Sequence, residues 1–281
     1  MTIAMTDVAT AEALILAHMP KFPARPEALA ACVDRVLAED VAAERDQPPF
    51  DRVTMDGIAI AHADLAAGDG SFAVVGTQAA GAEPLAIGSA QCVEVMTGTS
   101  LPRGADTVVP VERVQRQGSS AHVAADADVK AGQFVHRRGT DCAAGSRVLT
   151  AGTRLGPPEI AVLAGAGRAT ALVAELPRVA VISTGDELVD AGKPIAAHQI
   201  RSTNDRAVEA TLTRHRLGSV TRARLRDDAN ALAVAIDRLD TELDVLVLSG
   251  GVSMGQFDFV PSVLTATPAR RPAFWSRPNR C

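Results

Sequence analysis

The sequence predicts a mixed α/β protein in which a β-rich inserted domain precedes a doubly wound parallel sheet. Short β-rich runs punctuated by glycine and proline fill the chain from about residue 50 to residue 136. In the last third, strand-like and helix-like segments alternate, which is typical of crossover connections and a parallel sheet. We therefore expect an elongated helical and linking domain at residues 1–47 and 137–176, the β-rich domain at 48–136, and an α/β domain at 177–281.

The elongated domain is predicted to begin with a helix from Thr6 onward. Prolines at positions 20, 23 and 26 end that pattern, and a second short helix is expected from Pro26 to Leu37. Pro158 suits the first turn of a later helix over Glu159–Ala166, because its missing N–H costs nothing there. The apolar face of the first helix is read from residues at helical spacing: Val8, Ala11, Leu14, Ile15 and His18.

The other predicted elements follow from β-rich runs and from the change of periodicity in the last third. The strands of the β-rich domain are expected at Ser71–Val75, Gln91–Met96, Thr107–Val114 and Ala121–Ala125. In the α/β domain the order is Arg178–Ile182 (strand), Asn204–Arg216 (helix), Ser219–Leu225 (strand), Asp228–Leu239 (helix) and Asp244–Leu248 (strand).

Composition narrows the class of protein. The net charge of −5 argues against a broad nucleic-acid footprint. No run is long and apolar enough to cross a membrane, and the first twenty residues do not form a signal peptide, so a cytoplasmic protein is expected. Four scattered cysteines without a Cys-x-x-Cys pair indicate reduced, mostly buried thiols rather than a zinc site.

Two glycine-containing loops follow predicted strands of the α/β domain and predict a ligand site. Ligands of open parallel sheets bind outside the carboxyl ends of the strands, and exposed N–H groups in such loops make anion-binding concavities. Phosphate or another oxyanion is the expected ligand, although either loop alone is more often a tight turn. The residues expected to contact it are Ser183, Thr184, Gly185, Ser249, Gly250, Gly251, Ser253 and Gly255.

Carboxylates crowd the same strand ends, and they would repel a phosphate unless a cation lay between them. Mg²⁺ is the expected cation, since it combines a few carboxylates with phosphate oxygens and waters. The alternative for Asp227 or Asp228 is a helix N-cap, and Thr203 or Asn204 is a natural cap for the preceding helix, whose N-terminus could also receive an anion. The candidate metal ligands are Asp186, Glu187, Asp227, Asp228 and Asp258.

Two earlier stretches are dense in turn formers, and by themselves they indicate only loops of the β-rich domain. In order with the later segments, however, they resemble the MoeA/gephyrin E-domain family over about residues 8–260. Pro48–Ala59 is similar to the family's PPFDNSAMDGYA, Met96–Val109 to MTGAPVPEGADAVV, and Arg137–Leu155 to RRGED with a following AGT segment. Ser183–Leu188 matches STGDEL, Gln199–Asn204 resembles QI.DTN, and Ser249–Asp258 matches SGGVS.G..D. So many motifs in register make the match specific.

The resemblance implies a molybdopterin molybdenumtransferase. Such an enzyme acts as a homodimer, inserts molybdate into adenylylated molybdopterin with Mg²⁺, and releases AMP. The active cleft of the family lies between the β-rich domain of one subunit and the α/β molybdopterin-binding domain of the other. The resemblance also implies a molybdopterin adenylyltransferase and acceptor molybdoenzymes as partners. It places catalytic roles on Asp56, Thr97, Glu187 and Asp258, and the pterin phosphate on the glycine loops.

The sequence departs from the family pattern at two places. Arg52-Val53-Thr54 stands where the family has Asn-Ser-Ala. After Asp258 the Lys-Pro-Gly-Lys-Pro and Leu-Pro-Gly-Asn-Pro segments are missing, and prolines and arginines crowd Thr267–Cys281, which is typical of a truncation or of translation in the wrong frame. The expectation is an incomplete sheet, lower stability and weak or no catalysis. Two alternatives remain: a truncated molybdopterin-binding protein, and a molybdopterin adenylyltransferase, against which the Met96–Val109 segment argues.

Overall fold

The structure is a computed structural model that describes residues 7–19, 21–250, 259–260 and 262–263. The chain divides into two compact units. The first comprises residues 1–27, 34–38 and 172–281, and the second comprises residues 28–33 and 39–171. Four residues of the expected ligand site lie outside the described residues: Gly251, Ser253, Gly255 and Asp258.

Five α-helices form within the described part of the chain, and four of them lie where the sequence predicts helices. The helix expected from Pro26 to Leu37 is wrong, because a strand, Ala24–Ala28, and a 3₁₀ turn, Leu29–Ala31, occupy that region. Pro26 suits a strand edge, since it has no N–H to donate to a ladder. The helices are α1 (Val8–His18), α2 (His62–Ala67), α3 (Pro157–Gly165), α4 (Asn204–Arg214) and α5 (Ala229–Glu242).

The strands predicted from β-rich runs are present, with one interruption. The run Thr107–Val114 is broken after Pro110 by a 3₁₀ turn, Val111–Arg113. In chain order the strands are β1 (Ala24–Ala28), β2 (Val41–Ala42), β3 (Arg52–Val53), β4 (Gly57–Ile60), β5 (Ser71–Gln78), β6 (Gln91–Val95), β7 (Thr107–Pro110), β8 (Val114–Gln117), β9 (Ser120–Val123), β10 (Val135–His136), β11 (Arg147–Leu149), β12 (Thr170–Ala174), β13 (Arg178–Thr184), β14 (Leu188–Val189), β15 (Ile200–Arg201), β16 (Ser219–Leu225) and β17 (Val245–Ser249).

A three-stranded parallel sheet of order β16-β13-β17 organises the first unit. The central strand, β13, is buried along almost its whole length, as its continuous apolar run predicts. Ala180 and Ile182 pack with leucines of β16 and β17 and with Leu243, which follows α5. Helix α4 packs against β13 and β16. The parallel register brings the carboxyl ends of all three strands to one edge of the sheet.

A six-stranded sheet of order β7-β4-β6-β5-β9-β8 organises the second unit. All its neighbouring strands are antiparallel except β5 and β6, which run parallel. Ile58 and Ile60 belong to one core cluster, whereas Ala59 belongs to another, so β4 is buried on both faces. Cys92 lies in the first of these clusters, as the expectation of buried thiols predicts, and its burial raises the pKa of the thiol to about 11.

Candidate functional site

Antiparallel pairing in the second unit brings Asp56 and Thr97 together. Asp56 immediately precedes β4, and Thr97 lies two residues after the end of β6. Because Gly57 of β4 is paired with Val95 of β6, the start of one strand lies beside the end of the other. Two residues that are 41 positions apart in sequence therefore become neighbours at the rim of the sheet.

Thr97 holds the Asp56 carboxylate through two hydrogen bonds. The backbone N–H of Thr97 donates to Asp56 Oδ1 at 2.6 Å, and the Thr97 hydroxyl donates to the same oxygen at 2.8 Å. The backbone hydrogen bond, followed by that of the hydroxyl, lowers the pKa of Asp56 below its ordinary value. Both residues are exposed, so the arrangement presents an ionised, oriented carboxylate to solvent.

The short strand β3 fixes the loop that carries Thr97. Val53 receives a hydrogen bond from the N–H of Gly98 and donates its own N–H to the carbonyl of Thr99, at 2.8 and 2.9 Å. The hydroxyl of Thr99, which is almost completely buried, donates to the carbonyl of Met96 at 2.7 Å. The two loop motifs, Pro48–Gly57 and Met96–Asp106, are thus one connected structure rather than two independent turns.

The parallel sheet brings the other predicted residues to its carboxyl edge. Thr184 of β13 is in register with Leu225 of β16, and Ser183 is in register with Ser249 of β17. The loops after β13, β16 and β17 therefore begin side by side, as the alternation of strands and helices predicts. The described residues of this group are Ser183, Thr184, Gly185, Asp186, Glu187, Asp227, Asp228, Ser249 and Gly250.

Thr184 has a buried hydroxyl for which the described residues offer no hydrogen-bond partner. The residue is 6% exposed, and its Oγ1 atom has no partner among the described residues. The side chain lines a shallow cavity, partly open to solvent, together with residues of the loop after β16, of α5, and of the segment at 259–260. An unsatisfied buried hydroxyl costs stability, and such groups often mark a place where a ligand or water completes the structure.

Glycine is required next to Thr184. Gly250 has φ of +97°, and a Cβ atom there would lie 2.5 Å from the carbonyl oxygen of Thr184 and 2.8 Å from its hydroxyl. The carboxylate of Glu187 folds back over Gly185, where a Cβ atom would lie 2.7 Å from Oε2. The backbone at Gly250 therefore lies closer to Thr184 than a side chain would allow, whereas the Glu187 side chain could move away from a Cβ atom at Gly185.

The carboxylates at this edge are arranged in different ways. Asp228 accepts a hydrogen bond from the N–H of Ala231 at 2.9 Å, so it caps α5 as the alternative interpretation of this residue predicts. Asp227 and Asp228 line the cavity, whereas Asp186 and Glu187 are exposed, Asp186 lying 3.9 Å from the guanidinium of Arg226. Within the described residues, these carboxylates do not converge into a group of three that could hold a metal by themselves.

Sequence reasoning missed the residues that attach α4 to this edge. Thr203 occupies the N-cap position without a capping side-chain bond, and the Asn204 amide instead donates to Ser249 Oγ at 3.2 Å. The next residue, Asp205, is fully buried and pairs with Arg222 of β16. An arginine inside a strand expected to be covered by a helix was the available signal, because such a charge needs a partner.

The departure at Arg52 is accommodated by a local hydrogen-bond chain. Arg52 Nη2 lies 3.1 Å from His136 Nδ1, and His136 Nε2 lies 2.9 Å from Asp141 Oδ1. Since a guanidinium can only donate, Nδ1 must accept, and Nε2 carries the proton donated to Asp141. Arg52 therefore turns toward β10 and the segment after it, while the backbone of β3 still holds the Thr97 loop.

The fold defines a mixed α/β protein whose predicted site residues meet at the carboxyl edge of a parallel sheet. A family model described as the MoeA N-terminal region (domain I and II) matches residues 6–167, and one described as a probable molybdopterin binding domain matches residues 180–276. The chain therefore belongs to the MoeA family.

Individual relatives agree with this assignment. The molybdopterin molybdenumtransferase of Synechocystis is 35% identical over 260 residues, which cover 92% of this chain and 67% of the relative. The Bacillus subtilis enzyme of the same name is 34% identical over 84% of this chain and 56% of its own length. The crystal structure of the molybdopterin biosynthesis MoeA protein from Pyrococcus horikosii superimposes with a TM-score of 0.78 at 29% identity, over 93% of this chain and 66% of that one. The chain thus spans between about half and two thirds of the length of these relatives.

Proposed function

We propose that this protein acts in molybdenum cofactor biosynthesis, inserting molybdate into adenylylated molybdopterin with release of AMP. In the balanced reaction one water cleaves the phosphoanhydride bond, so that AMP departs and the molybdopterin retains its phosphate monoester. The dithiolene sulfurs bind the metal, and each molybdate oxygen that they displace leaves as water with protons from the thiols and solvent. Family membership and the names of the relatives support the process. The geometry of the strand-end loops supports the class of ligand.

The observation that carries the proposal is the unsatisfied hydroxyl of Thr184 beside the cavity. It lies at the carboxyl end of the central strand, where parallel sheets bind ligands, and it is buried beside backbone that only glycine permits. A phosphate oxygen would accept hydrogen bonds from the Thr184 hydroxyl and from the N–H groups of the adjacent loops. The proposed binding residues are Ser183, Thr184, Gly185, Ser249, Gly250, Gly251, Ser253 and Gly255.

The proposed catalytic residues are Asp56, Thr97, Glu187 and Asp258. Asp56 is suited to orient a reacting group or to face a positive charge as a fixed anion, because Thr97 lowers its pKa and fixes one of its two oxygens. Glu187 extends from the loop after the central strand and has the same potential role at the phosphate. Asp258 is proposed on the family motif, since it lies outside the described residues.

Mg²⁺ is part of the proposal as the cation that neutralises the phosphoanhydride oxygens. The described carboxylates do not form a closed cage, but Mg²⁺ commonly takes one or two carboxylates and completes its shell with substrate oxygens and waters. Asp228 uses one oxygen to cap α5 and keeps the other available. The proposed ligands are Asp186, Glu187, Asp227, Asp228 and Asp258.

The wider organisation is proposed on family resemblance. It comprises an elongated linking domain at residues 1–47 and 137–176, the β-rich domain at 48–136, and the doubly wound α/β domain at 177–281. We also propose a cytoplasmic homodimer that receives its substrate from a molybdopterin adenylyltransferase and serves molybdoenzymes. None of the described helices combines the length and the apolar composition needed to cross a bilayer.

The test is a molybdate-dependent release of AMP by the purified chain. The reaction contains adenylylated molybdopterin, Mg²⁺ and molybdate, and AMP is followed over time in the wild type and in Thr184→Val. Valine keeps the shape of threonine and removes the hydroxyl, so we expect weaker substrate binding in that variant. Thr221→Val, on the neighbouring strand β16 and exposed, is the matched control and should behave as the wild type.

Each outcome has a distinct meaning. Release of AMP that requires molybdate and falls in Thr184→Val supports the proposed enzyme. Binding of the substrate without AMP release supports a molybdopterin-binding protein without this activity instead. In a parallel reaction with unmodified molybdopterin and ATP, adenylylation would support the adenylyltransferase. Absence of binding would contradict the proposed site.

A further inference from the structure

The first turn of α4 is attached to both outer strands of the parallel sheet through two consecutive residues. Asn204 donates its side-chain amide to Ser249 of β17, at the strand end that carries Gly250. Asp205 pairs with Arg222 of β16 on the other side of the central strand. The first attachment is neutral and exposed, whereas the second is charged and buried.

The buried attachment is a small network centred on Arg222. Asp205 is 0% exposed, and one of its oxygens accepts the hydroxyl of Ser202 at 2.8 Å while the other accepts from Arg222. Arg222 also reaches Asp190 at 2.9 Å and Glu209 at 3.8 Å. The network therefore joins β16, α4 and the segment after β14.

A buried ion pair of this kind contributes little to stability, but it fixes how a helix is rotated against a sheet. Removing two charges from water costs free energy that apolar side chains of similar size would not cost. The pair selects one rotation of α4 about its axis, because a rotation by one residue, about 100°, would take Asp205 away from Arg222. The same rotation would take Asn204 away from Ser249, since Asn204 and Asp205 are neighbours on the helix.

We propose that Asp205 is a positioning residue, which with Arg222 fixes the rotation of α4 so that Asn204 holds the Ser249–Gly250 end of β17 in place for the ligand. The proposal rests on the proposed function for the identity of the ligand. The positioning itself depends only on the contacts of α4 with the sheet. Asp205 does not touch the ligand, and its effect passes through the Asn204–Ser249 hydrogen bond.

The experiment compares Asp205→Asn with Asp244→Asn in the full chain. Asp244 also pairs with an arginine of the sheet, Arg178 at 3.1 Å, but at the opposite end of the central strand, so it controls for the loss of an ion pair. The first readout is the side-chain amide NMR signal of Asn204 without ligand. In Asp205→Asn we expect the chemical shift of that amide to move toward the value of a solvent-exposed asparagine. In Asp244→Asn the chemical shift should not change.

The second readout is the affinity for adenylylated molybdopterin in a double-mutant cycle with Asn204→Ala. We expect Asp205→Asn to weaken binding about tenfold, the lower end of what supporting residues contribute around a site. In the Asn204→Ala background the same substitution should have little further effect, because the hydrogen bond through which it acts is already absent.

The readouts separate the two levels of the proposal. Additive effects in the cycle, or an unchanged Asn204 signal in Asp205→Asn, would overturn the positioning role and leave a purely structural ion pair. If the wild type binds no adenylylated molybdopterin, the proposed function fails. The Asn204 signal then decides the positioning role alone.

Discussion

Thr97 uses its backbone N–H and its hydroxyl on the same oxygen of Asp56, Oδ1, at 2.6 and 2.8 Å. The second oxygen of Asp56 has no hydrogen-bond partner among the described residues and remains available to a reacting group. One oxygen of the carboxylate is thus held by a neighbour and the other is exposed, which resembles the way a general base is oriented.

We expect Thr97→Val to raise the pKa of Asp56 partway toward its ordinary value. The valine keeps the backbone N–H, which is the larger cause of the lowered pKa, and removes only the hydroxyl. The measurement is an NMR titration of the Asp56 carboxyl carbon. Thr97→Ser keeps both donors and should titrate like the wild type. A pKa for Asp56 in Thr97→Val equal to that of the wild type would show that the hydroxyl does not stabilise the carboxylate.

Removing the unsatisfied hydroxyl of Thr184 should stabilise the ligand-free protein. Thr184→Val takes away a buried polar group that has no partner among the residues that the structure describes, and we expect the free energy of unfolding to rise by about 1 kcal/mol. Thr99→Val is the matched opposite, because the buried hydroxyl of Thr99 donates to Met96 at 2.7 Å. That variant should lose about 1 kcal/mol. Urea denaturation of both variants makes the comparison, and a loss in each would mean that Thr184 has a partner in solution.

Gly250→Ala should cost more stability than an alanine at an equally unusual but open position. The new Cβ would lie 2.5 Å from the carbonyl of Thr184, so the strand end must move, and we expect a loss of at least about 2 kcal/mol. Gly192 also has positive φ, +82°, but nothing lies within 4 Å of its added Cβ. Gly192→Ala should therefore cost only about 1 kcal/mol from the backbone conformation. Equal losses in thermal unfolding would contradict the predicted close approach at Gly250.

The Asp205–Arg222 pair should make stability fall in acid. Burial raises the pKa of Asp205, but the hydrogen bonds from Arg222 and Ser202 outweigh it, so the pKa lies below its ordinary value of 3.8. A depressed folded-state pKa contributes stability that is fully present above the unfolded value and is lost as the pH falls through the folded value. The difference in unfolding free energy between the wild type and Asp205→Asn should therefore be constant from pH 7 to about pH 5 and shrink below about pH 4. A difference that does not change with pH would show that Asp205 is not ionised in the folded protein.

Much of the fold is predictable from local patterns. The continuous apolar run of β13 and the helical spacing in α5 are both local signals. The structure places those two elements where the sequence predicts them. The segment Pro26–Leu37 was wrong because its conformation depends on pairing with β12, a strand more than a hundred residues later. Helix α2 was missed because six residues are too few to show a period.

The site shows the same division between local and distant causes. The glycine loops are recognisable because they follow strands whose carboxyl ends must share an edge. Arg222 in β16 indicated that a buried charge needs a partner, but the sequence did not show that the partner is Asp205. That choice and the Asn204–Ser249 contact depend on how α4 rotates against the sheet. Asp228 satisfies the capping pattern, and a sequence alone does not tell whether its second oxygen also serves a ligand.

The central place of β13 has a consequence for synthesis on the ribosome. It is the first strand of its sheet to be translated, yet its partners are residues 219–225 on one side and 245–249 on the other. The β13–α4–β16 segment can fold as soon as residue 225 has left the ribosome. One edge of β13 then stays unpaired until β17 has been translated. An apolar strand with an open edge attracts other chains during that interval. Slow translation between the codons for β16 and β17 should therefore lower the soluble yield, and a chaperone that covers strand edges should restore it.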